Sequence, residues 1–112
     1  MKLYIATPIN ARPEQTLKEK LLAAKHRIES LKETLASDRR FHDYEIISTF
    51  DLSHNIDCSE ASAMGKCITA VMECDAVYLD HGWETSKGCS VEYQTAKIYG
   101  KYIFQHDKLY ST

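Results

Sequence analysis

One segment near the C-terminus combines residue types that can hold and attack a small polar molecule. Gly82–Glu92 reads GWETSKGCSVE, a polar turn that runs into a predicted helix. The first-turn amides and the dipole of such a helix favour an anion such as a phosphate or a carboxylate. Glu92 falls in the second turn, with Gly88 four residues before it and Ala96 four residues after it on the same side. These small neighbours allow the Glu92 side of the helix to approach a sheet or a ligand.

The direction in which Glu92 points decides between two interpretations. A carboxylate that faces inward needs a partner or a chemical role, because burying an unpaired charge is costly or shifts the pKa of the group. A carboxylate that faces outward would instead pair with Lys87 or Lys97 on the same helix. Both interpretations remain open at the level of the sequence.

Other candidates lie on predicted loops. Asp80 closes an apolar run, and Trp83 follows it on a loop where an indole can stack on a planar ring or simply pack over a helix end. His54 and His81 can act near neutral pH or remain solvated. Arg12 can meet a phosphate or an acidic neighbour. None of these side chains forms a motif by itself.

The sequence lacks the motifs that identify several common classes of binding protein. There is no GxGxxG after the first strand and no GxxxxGK[ST], which argues against dinucleotide and P-loop nucleotide binding. No two of the cysteines Cys58, Cys67, Cys74 and Cys89 form a CxxC pair, so buried free thiols are expected rather than a metal site or disulfides. No cofactor is expected.

The charge and hydropathy patterns are those of an ordinary globular domain. The formal net charge is −2, and the basic residues of Lys18–Arg40 alternate with acidic ones, which predicts a solvated helix face and no nucleic-acid polymer as a partner. No run approaches the roughly 18 consecutive apolar residues of a membrane span. The chain shows no signal-peptide pattern at its N-terminus, so a cytoplasmic location is expected.

Strands and helices alternate along the chain. From Pro13 onward, apolar residues recur at steps of three and four up to Leu35, which predicts an amphipathic helix, and Thr16 with Glu19 resembles a capping box. The remaining predicted elements are strands at Lys2–Ala6, Tyr44–Ser48, Asp75–Leu79 and Tyr102–Phe104, a helix from about Ser59 to Glu73, and a helix from Thr85 or Ser86 to near Gly100.

This βαβαβαβ order predicts one α/β domain over residues 1–112, with a parallel four-stranded sheet of order 2-1-3-4 and helices on both faces. Ligands of such sheets bind beyond the carboxyl ends of the strands. The Thr7–Arg12, Ser48–Asp57 and Asp80–Ser86 loops are therefore expected to line one pocket that contains Tyr4 and Glu92. Thr7, Pro8 and Ile9, in the first of these loops, and Trp83 in the third are expected to contact its ligand.

Three segments together resemble a known superfamily. They are YIATPI from Tyr4 to Ile9, CDAVYL from Cys74 to Leu79, and GWETSKG from Gly82 to Gly88, followed by Glu92. They resemble the nucleoside 2-deoxyribosyltransferase-like superfamily, and in particular its small bacterial DUF4406 branch with a Gly-Trp-Glu loop. The resemblance covers nearly the whole chain.

The resemblance implies a flavodoxin-like three-layer fold and a specific chemistry. Glu92 matches the glutamate that attacks the anomeric carbon of a deoxynucleoside, releases the base and forms a glycosyl-enzyme. Tyr4 would hydrogen-bond this glutamate or the sugar, and Ser86 with Gly88 would line the pocket for the sugar or the 5′-phosphate. The superfamily also implies a homo-oligomer, in the simplest case a dimer.

The sequence departs from the superfamily at one important position. Active members carry an acidic residue about eight positions before the residue that matches Asp75, and here that position is occupied by Cys67. Asp80, at the cleft end of the central strand, is the better substitute as a second catalytic carboxylate. Asp75 begins that strand at the far end of the sheet, where a turn role is expected.

Three functional hypotheses follow. The first is an N-glycosidic-bond hydrolase or transferase that acts on deoxynucleosides or their monophosphates through a glycosyl-enzyme on Glu92. The second is a non-catalytic module that binds or senses a nucleotide, which the Cys67 departure favours. The third is an interaction domain without a small ligand, suggested by the long charged helix.

Overall fold

Four short apolar runs form strands, as the sequence predicts. The computed structural model describes residues 1–8, 17–48 and 60–110. The strands are β1 (Lys2–Ala6), β2 (Glu45–Ser48), β3 (Ala76–Leu79) and β4 (Tyr102–Gln105). The helices are α1 (Leu17–Ala36), α2 (Glu60–Glu73), α3 (Lys87–Ile98) and the single turn α4 (His106–Leu109). Short 3-10 turns cover Arg39–Phe41 and Trp83–Thr85.

All four strands pair in parallel in the order β2-β1-β3-β4, which confirms the predicted sheet. Tyr4 lies opposite Ile47 on one side and opposite Val77 on the other. The next strand pair places Val77 opposite Ile103. From β2 the chain crosses over β1 to reach β3, so the strand order reverses direction between β1 and β3, which is the point where ligands bind in parallel sheets.

Each face of the sheet carries its own apolar core, which gives the predicted three-layer α/β sandwich. Successive strand residues point to opposite faces, so Tyr4 and Leu3 lie in different cores. The core beneath α2 and α3, here called the Tyr4-side core, contains Tyr4, Ala6, Cys67, Ala70, Val71, Cys74, Val77, Leu79, Cys89 and Ala96. The core beneath α1, here called the Leu3-side core, contains Leu3, Ile5, Ile28, Leu31, Leu35, Phe41, Ala76 and Tyr78.

The observed boundaries of the strands and helices agree with the predicted ones to within a few residues wherever both lie in the described ranges. The predicted start of the first helix at Pro13 and its predicted capping residue Thr16 lie outside the described residues. The helix α4 was not predicted, because a one-turn helix is too short to show the apolar periodicity of a longer one. Within the described ranges, no helix is long and apolar enough to cross a membrane.

Candidate functional site

The central strand β1 places Tyr4 under α2 and α3. Tyr4 is fully buried, and Ala6 follows it on the same face at the end of the strand. The main chain then stays close to the neighbouring strand, since the amide of Asp80 donates to the carbonyl of Ala6 at 3.0 Å. Tyr4 therefore lies two residues before the carboxyl end of β1, on the face of the sheet that α2 and α3 cover.

A glycine turn links that loop to α3. Gly82 has a φ of 81°, a left-handed conformation that costs other residues free energy because of their Cβ. The 3-10 turn Trp83–Thr85 follows, and then Ser86 caps α3 by accepting a hydrogen bond from the amide of Cys89 at 3.3 Å. This turn and cap fix where α3 begins and which of its residues face the sheet.

Glu92 is on the inward face of α3. It is 5% exposed, and the hydroxyl of Tyr4 donates a hydrogen bond to its carboxylate. Its Oε2 atom is buried without a hydrogen-bond partner among the described residues. The alternative in which Glu92 points outward to Lys87 or Lys97 is therefore wrong. Tyr4 orients the carboxylate, and Oε2 is a buried acceptor with no partner among the described residues, an arrangement that calls for an explanation.

Burial raises the pKa of Glu92 from its ordinary value of 4.5 to about 7, although the hydrogen bond from Tyr4 acts in the opposite direction. The same environment raises the pKa of Tyr4, first by burial and then through the nearby Glu92 charge. A buried carboxyl group that titrates near neutral pH beside a specific partner is typical of functional sites.

Cys67 belongs to this cluster. The residue is buried on α2 in the Tyr4-side core, and a side-chain hydrogen bond with Cys67 is among the causes that raise the pKa of Tyr4. Cys67, Cys74 and Cys89 are all buried free thiols, whereas Cys58 lies outside the described residues. Burial raises the pKa of Cys89 to about 12 and that of Cys74 to about 11, so both stay protonated at neutral pH.

Asp80 is oriented toward the opposite side of the sheet. Its carboxylate accepts two hydrogen bonds from Arg27 of α1, at 3.0 Å from Nε and at 2.7 Å from the terminal nitrogen, and a third from the amide of His81 at 2.8 Å. The structure thus brings Asp80 together with Arg27, and no described contact joins it to Glu92. A role for Asp80 as the second catalytic carboxylate stays a prediction.

A polar network around Asp80 was not predicted. Arg27 also lies 3.4 Å from His106 Nε2, and His106 Nδ1 is hydrogen-bonded to the Tyr78 hydroxyl. The ring of His81 is 2.9 Å from the Asp107 carboxylate, which raises the pKa of that histidine. The contacts fasten the Asp80 loop to α1 and α4. Arg27 borders the apolar stripe of α1, but nothing in the sequence pairs it with a residue 53 positions away.

We expect Arg27→Met to lower the free energy of unfolding by about 2–3 kcal/mol, because it leaves the nearly buried Asp80 carboxylate with one main-chain donor. The partial exposure of Arg27 keeps the expected loss below that of a fully buried pair. Urea unfolding followed by circular dichroism measures it. Arg39→Met, on the exposed surface, is the control, and adding Asp80→Asn to Arg27→Met should restore part of the loss. An unchanged stability in Arg27→Met would contradict this account.

The other predicted ligand-contacting residues are placed as follows. Trp83 is half-buried and packs on Tyr93 of α3, with ring centroids 4.7 Å apart, which is the packing alternative considered for it. Thr7 Oγ1 is buried without a hydrogen-bond partner among the described residues. Pro8 lies beside Gly82, since its Cγ is 3.8 Å from the position that a Cβ would take there. Gly88 is half-buried in the first turn of α3.

Several predicted residues cannot be compared. Ile9, Arg12 and His54, together with most of the Ser48–Asp57 loop, lie outside the described residues. Asp75 is at the opposite end of the sheet, as expected, where its carboxylate accepts a hydrogen bond from the amide of Lys2 at 2.7 Å. Among the described residues, no group of three histidine, cysteine or acidic side chains could hold a metal ion.

The fold and the site define the class of this protein. It is a parallel α/β sandwich with a tyrosine and a carboxyl group buried together near the carboxyl ends of its central strands. Residues 1–105 match the family described as a domain of unknown function, DUF4406, and the chain belongs to this family. A comparison with curated proteins found no match.

Proposed function

We propose that the protein cleaves the N-glycosidic bond of deoxynucleosides or deoxynucleoside monophosphates, as a hydrolase or a transferase, with Glu92 as the nucleophile. One observation carries the proposal: a buried carboxyl group has one oxygen held by Tyr4 and the other buried without a partner among the described residues. The link to the nucleoside 2-deoxyribosyltransferase-like superfamily is part of the proposal and rests on the YIATPI and GWETSKG segments with Glu92.

The proposed reaction is a double displacement. The ionised Glu92 oxygen bonds to the anomeric carbon, the bond from that carbon to the base nitrogen breaks, and the base leaves with the electron pair and takes a proton from solvent. Water or a second base then attacks the anomeric carbon and releases the Glu92 carboxylate. Tyr4 stabilises the ionised form of Glu92 before attack and after release, because its hydroxyl donates to the carboxylate.

The N-terminus of α3 supports an anionic or hydroxyl end of the substrate beside Glu92. Ser86 uses its oxygen to accept from Cys89, so its own proton remains able to donate to a ligand. The amide of Cys89 already donates to Ser86, and the amides of Lys87 and Gly88 before it, which have no acceptor one turn earlier in the helix, would donate to the anion. This arrangement suits the 5′-hydroxyl or 5′-phosphate of a nucleotide. In this proposal the protein acts in the cytoplasm as a homodimer.

The first test is direct. Purified protein is incubated with each deoxynucleoside and its 5′-monophosphate, and free base is followed by chromatography, with a second base added in parallel to detect transfer. Base release that depends on the protein supports the proposal. Nucleotide-dependent thermal stabilisation without base release would instead support a binding or sensing module, which is favoured by Cys67 at the position where active superfamily members carry an acidic residue. If neither base release nor thermal stabilisation is observed, the remaining hypothesis is an interaction domain without a small ligand.

We expect the rate of base release to rise with pH through about pH 7, because only the ionised form of Glu92 can attack and burial raises the pKa of Glu92 to about 7. The pH dependence of kcat/KM reports this group in the free enzyme. A rate that reaches its plateau below pH 5 would contradict the assignment of Glu92 as the nucleophile in this environment.

A further inference from the structure

Asp80 joins three parts of the fold through hydrogen bonds. It is 3% exposed and follows β3 directly, and its amide donates to the carbonyl of Ala6 at the end of β1 at 3.0 Å. Its own carbonyl accepts a hydrogen bond from the amide of Trp83 at 3.2 Å. Its carboxylate accepts from two nitrogens of Arg27 on α1. A side chain of α1 is therefore connected to the turn that precedes α3, on the other face of the sheet.

A series of hydrogen bonds at steps of three residues continues from Asp80 to α3. After the bond from the amide of Trp83, the amide of Ser86 donates to the carbonyl of Trp83 at 3.1 Å. The amide of Cys89 then donates to the hydroxyl oxygen of Ser86 at 3.3 Å. Each bond begins at the residue where the previous one ends. A displacement of Asp80 is therefore passed to Ser86, at the N-terminus of the helix that carries Glu92.

Arg27 holds the Asp80 carboxylate at two points. Its Nε lies 3.0 Å from one carboxylate oxygen and a terminal nitrogen lies 2.7 Å from the other, so the planar guanidinium fixes the rotation of the carboxylate as well as its position. A lysine ammonium would be a point charge without this fork. The carboxylate of Asp80 also accepts from the amide of His81, which orients the first peptide of the loop.

We propose that Arg27 is a positioning residue that acts through Asp80 to hold Ser86 where the substrate binds. The inference rests on the proposed function, in which Ser86 supports the 5′ end of the substrate. It assigns Asp80 an orienting role in which its carboxylate does not touch the substrate. The binding site on one face of the sheet then depends on an ion pair on the other face.

The first test uses Trp83 and needs no substrate. Trp83 is the single tryptophan of the chain, and it packs half-buried on Tyr93, so its fluorescence reports on the turn. Arg27→Lys keeps the positive charge and removes the fork. We expect it to raise the acrylamide quenching constant of Trp83 at least about twofold in folded protein, because the turn opens locally more often. Asp80→Asn also loses the ion pair and should give a similar rise, and it takes the place of Arg27→Lys if that variant does not fold.

Two control variants separate positioning from a general loss of stability. Arg40→Lys makes the same change in a second two-point pair, in which Arg40 contacts Asp38 at 3.0 and 2.6 Å and which shares no described hydrogen bond with Asp80. Ile28→Val weakens the packing of the Leu3-side core beside Arg27. Neither control should change the quenching of Trp83. In Asp80→Asn, adding Arg27→Lys should produce no further rise, because the arginine acts through Asp80.

The second test measures turnover. Arg27→Lys should raise KM for a deoxynucleoside 5′-monophosphate about tenfold with a smaller change in kcat, because Ser86 is displaced while Glu92 is retained. An unchanged quenching constant in Arg27→Lys, or an equal rise in either control, would overturn the inference. An effect of Arg27→Lys that persists in Asp80→Asn, or an unchanged KM in an active protein, would overturn it as well. Absence of base release in the parent protein, with the expected quenching constants, would overturn only the proposed function.

Discussion

Glu92→Gln should reduce base release by at least about a thousandfold while the protein remains folded and continues to bind nucleotide. The amide is nearly the same size as the carboxyl group and can still accept a hydrogen bond from Tyr4, but it cannot form the ester to the anomeric carbon. The loss should therefore appear in kcat, with little change in KM. Steady-state rates and a nucleotide-binding isotherm, measured on the same preparation, check this result.

A matched substitution controls for the change from an acid to an amide. Glu73 lies at the end of α2 and is exposed, so Glu73→Gln should leave turnover unchanged. Full activity in a folded Glu92→Gln protein would remove Glu92 from the reaction, and with it the proposed glycosyl-enzyme. A large loss in Glu73→Gln would show that the effect is not specific to the buried site.

The same substitution should make the protein more stable at alkaline pH. The folded state holds a proton on Glu92 up to about pH 7, whereas the unfolded chain releases it near 4.5. Between these values the folded state binds more protons, so the stability contributed by this group is complete below about pH 4.5 and is lost as pH rises through 7. The total loss amounts to about 3 kcal/mol, since one pKa unit corresponds to about 1.4 kcal/mol.

We therefore compare the unfolding free energy of Glu92→Gln with that of the parent protein at each pH. The variant's advantage should grow by up to about 3 kcal/mol between pH 4.5 and pH 8. Urea unfolding at a series of pH values measures the difference between the two proteins, in which the titration of other groups cancels. The exposed Glu73→Gln variant should give a difference that stays flat with pH. A Glu92→Gln protein whose relative stability does not rise between pH 5 and pH 8 would contradict the burial of an ionisable group at this position.

Opposite effects of one substitution would identify a site that is kept at a cost to stability. An apolar residue would serve packing better at this position, because a buried carboxyl group destabilises the folded state when it ionises. Loss of turnover together with gain of stability in Glu92→Gln is the pattern expected of a functional residue in a strained or desolvated environment. Stability gained without any lost activity or binding would leave the buried carboxyl group unexplained.

Local patterns determined most of the fold and the identity of the central residue. Alternating strands and helices allow few arrangements, because crossovers between parallel strands have a fixed hand, and the predicted order 2-1-3-4 is the one observed. The small residues Gly88 and Ala96 flank Glu92 at helical spacing, which favours an inward face, and Glu92 is indeed buried. The alternation of strands and helices and the small neighbours of Glu92 depend on residues within a few turns of the chain, so the sequence alone carries them.

Only the tertiary structure decided which side chains meet. Cys67 and Tyr4 are 63 positions apart, and Arg27 and Asp80 are 53 apart, so no local spacing predicts either contact. The sequence placed Asp80 correctly at the cleft end of β3, but the face of the sheet toward which it turns depends on the position of α1. Side chains alternate between the two faces of a strand. Asp80 therefore lies on the α1 side of the sheet, where it contacts Arg27, whereas Tyr4 lies on the α3 side, where it contacts Glu92.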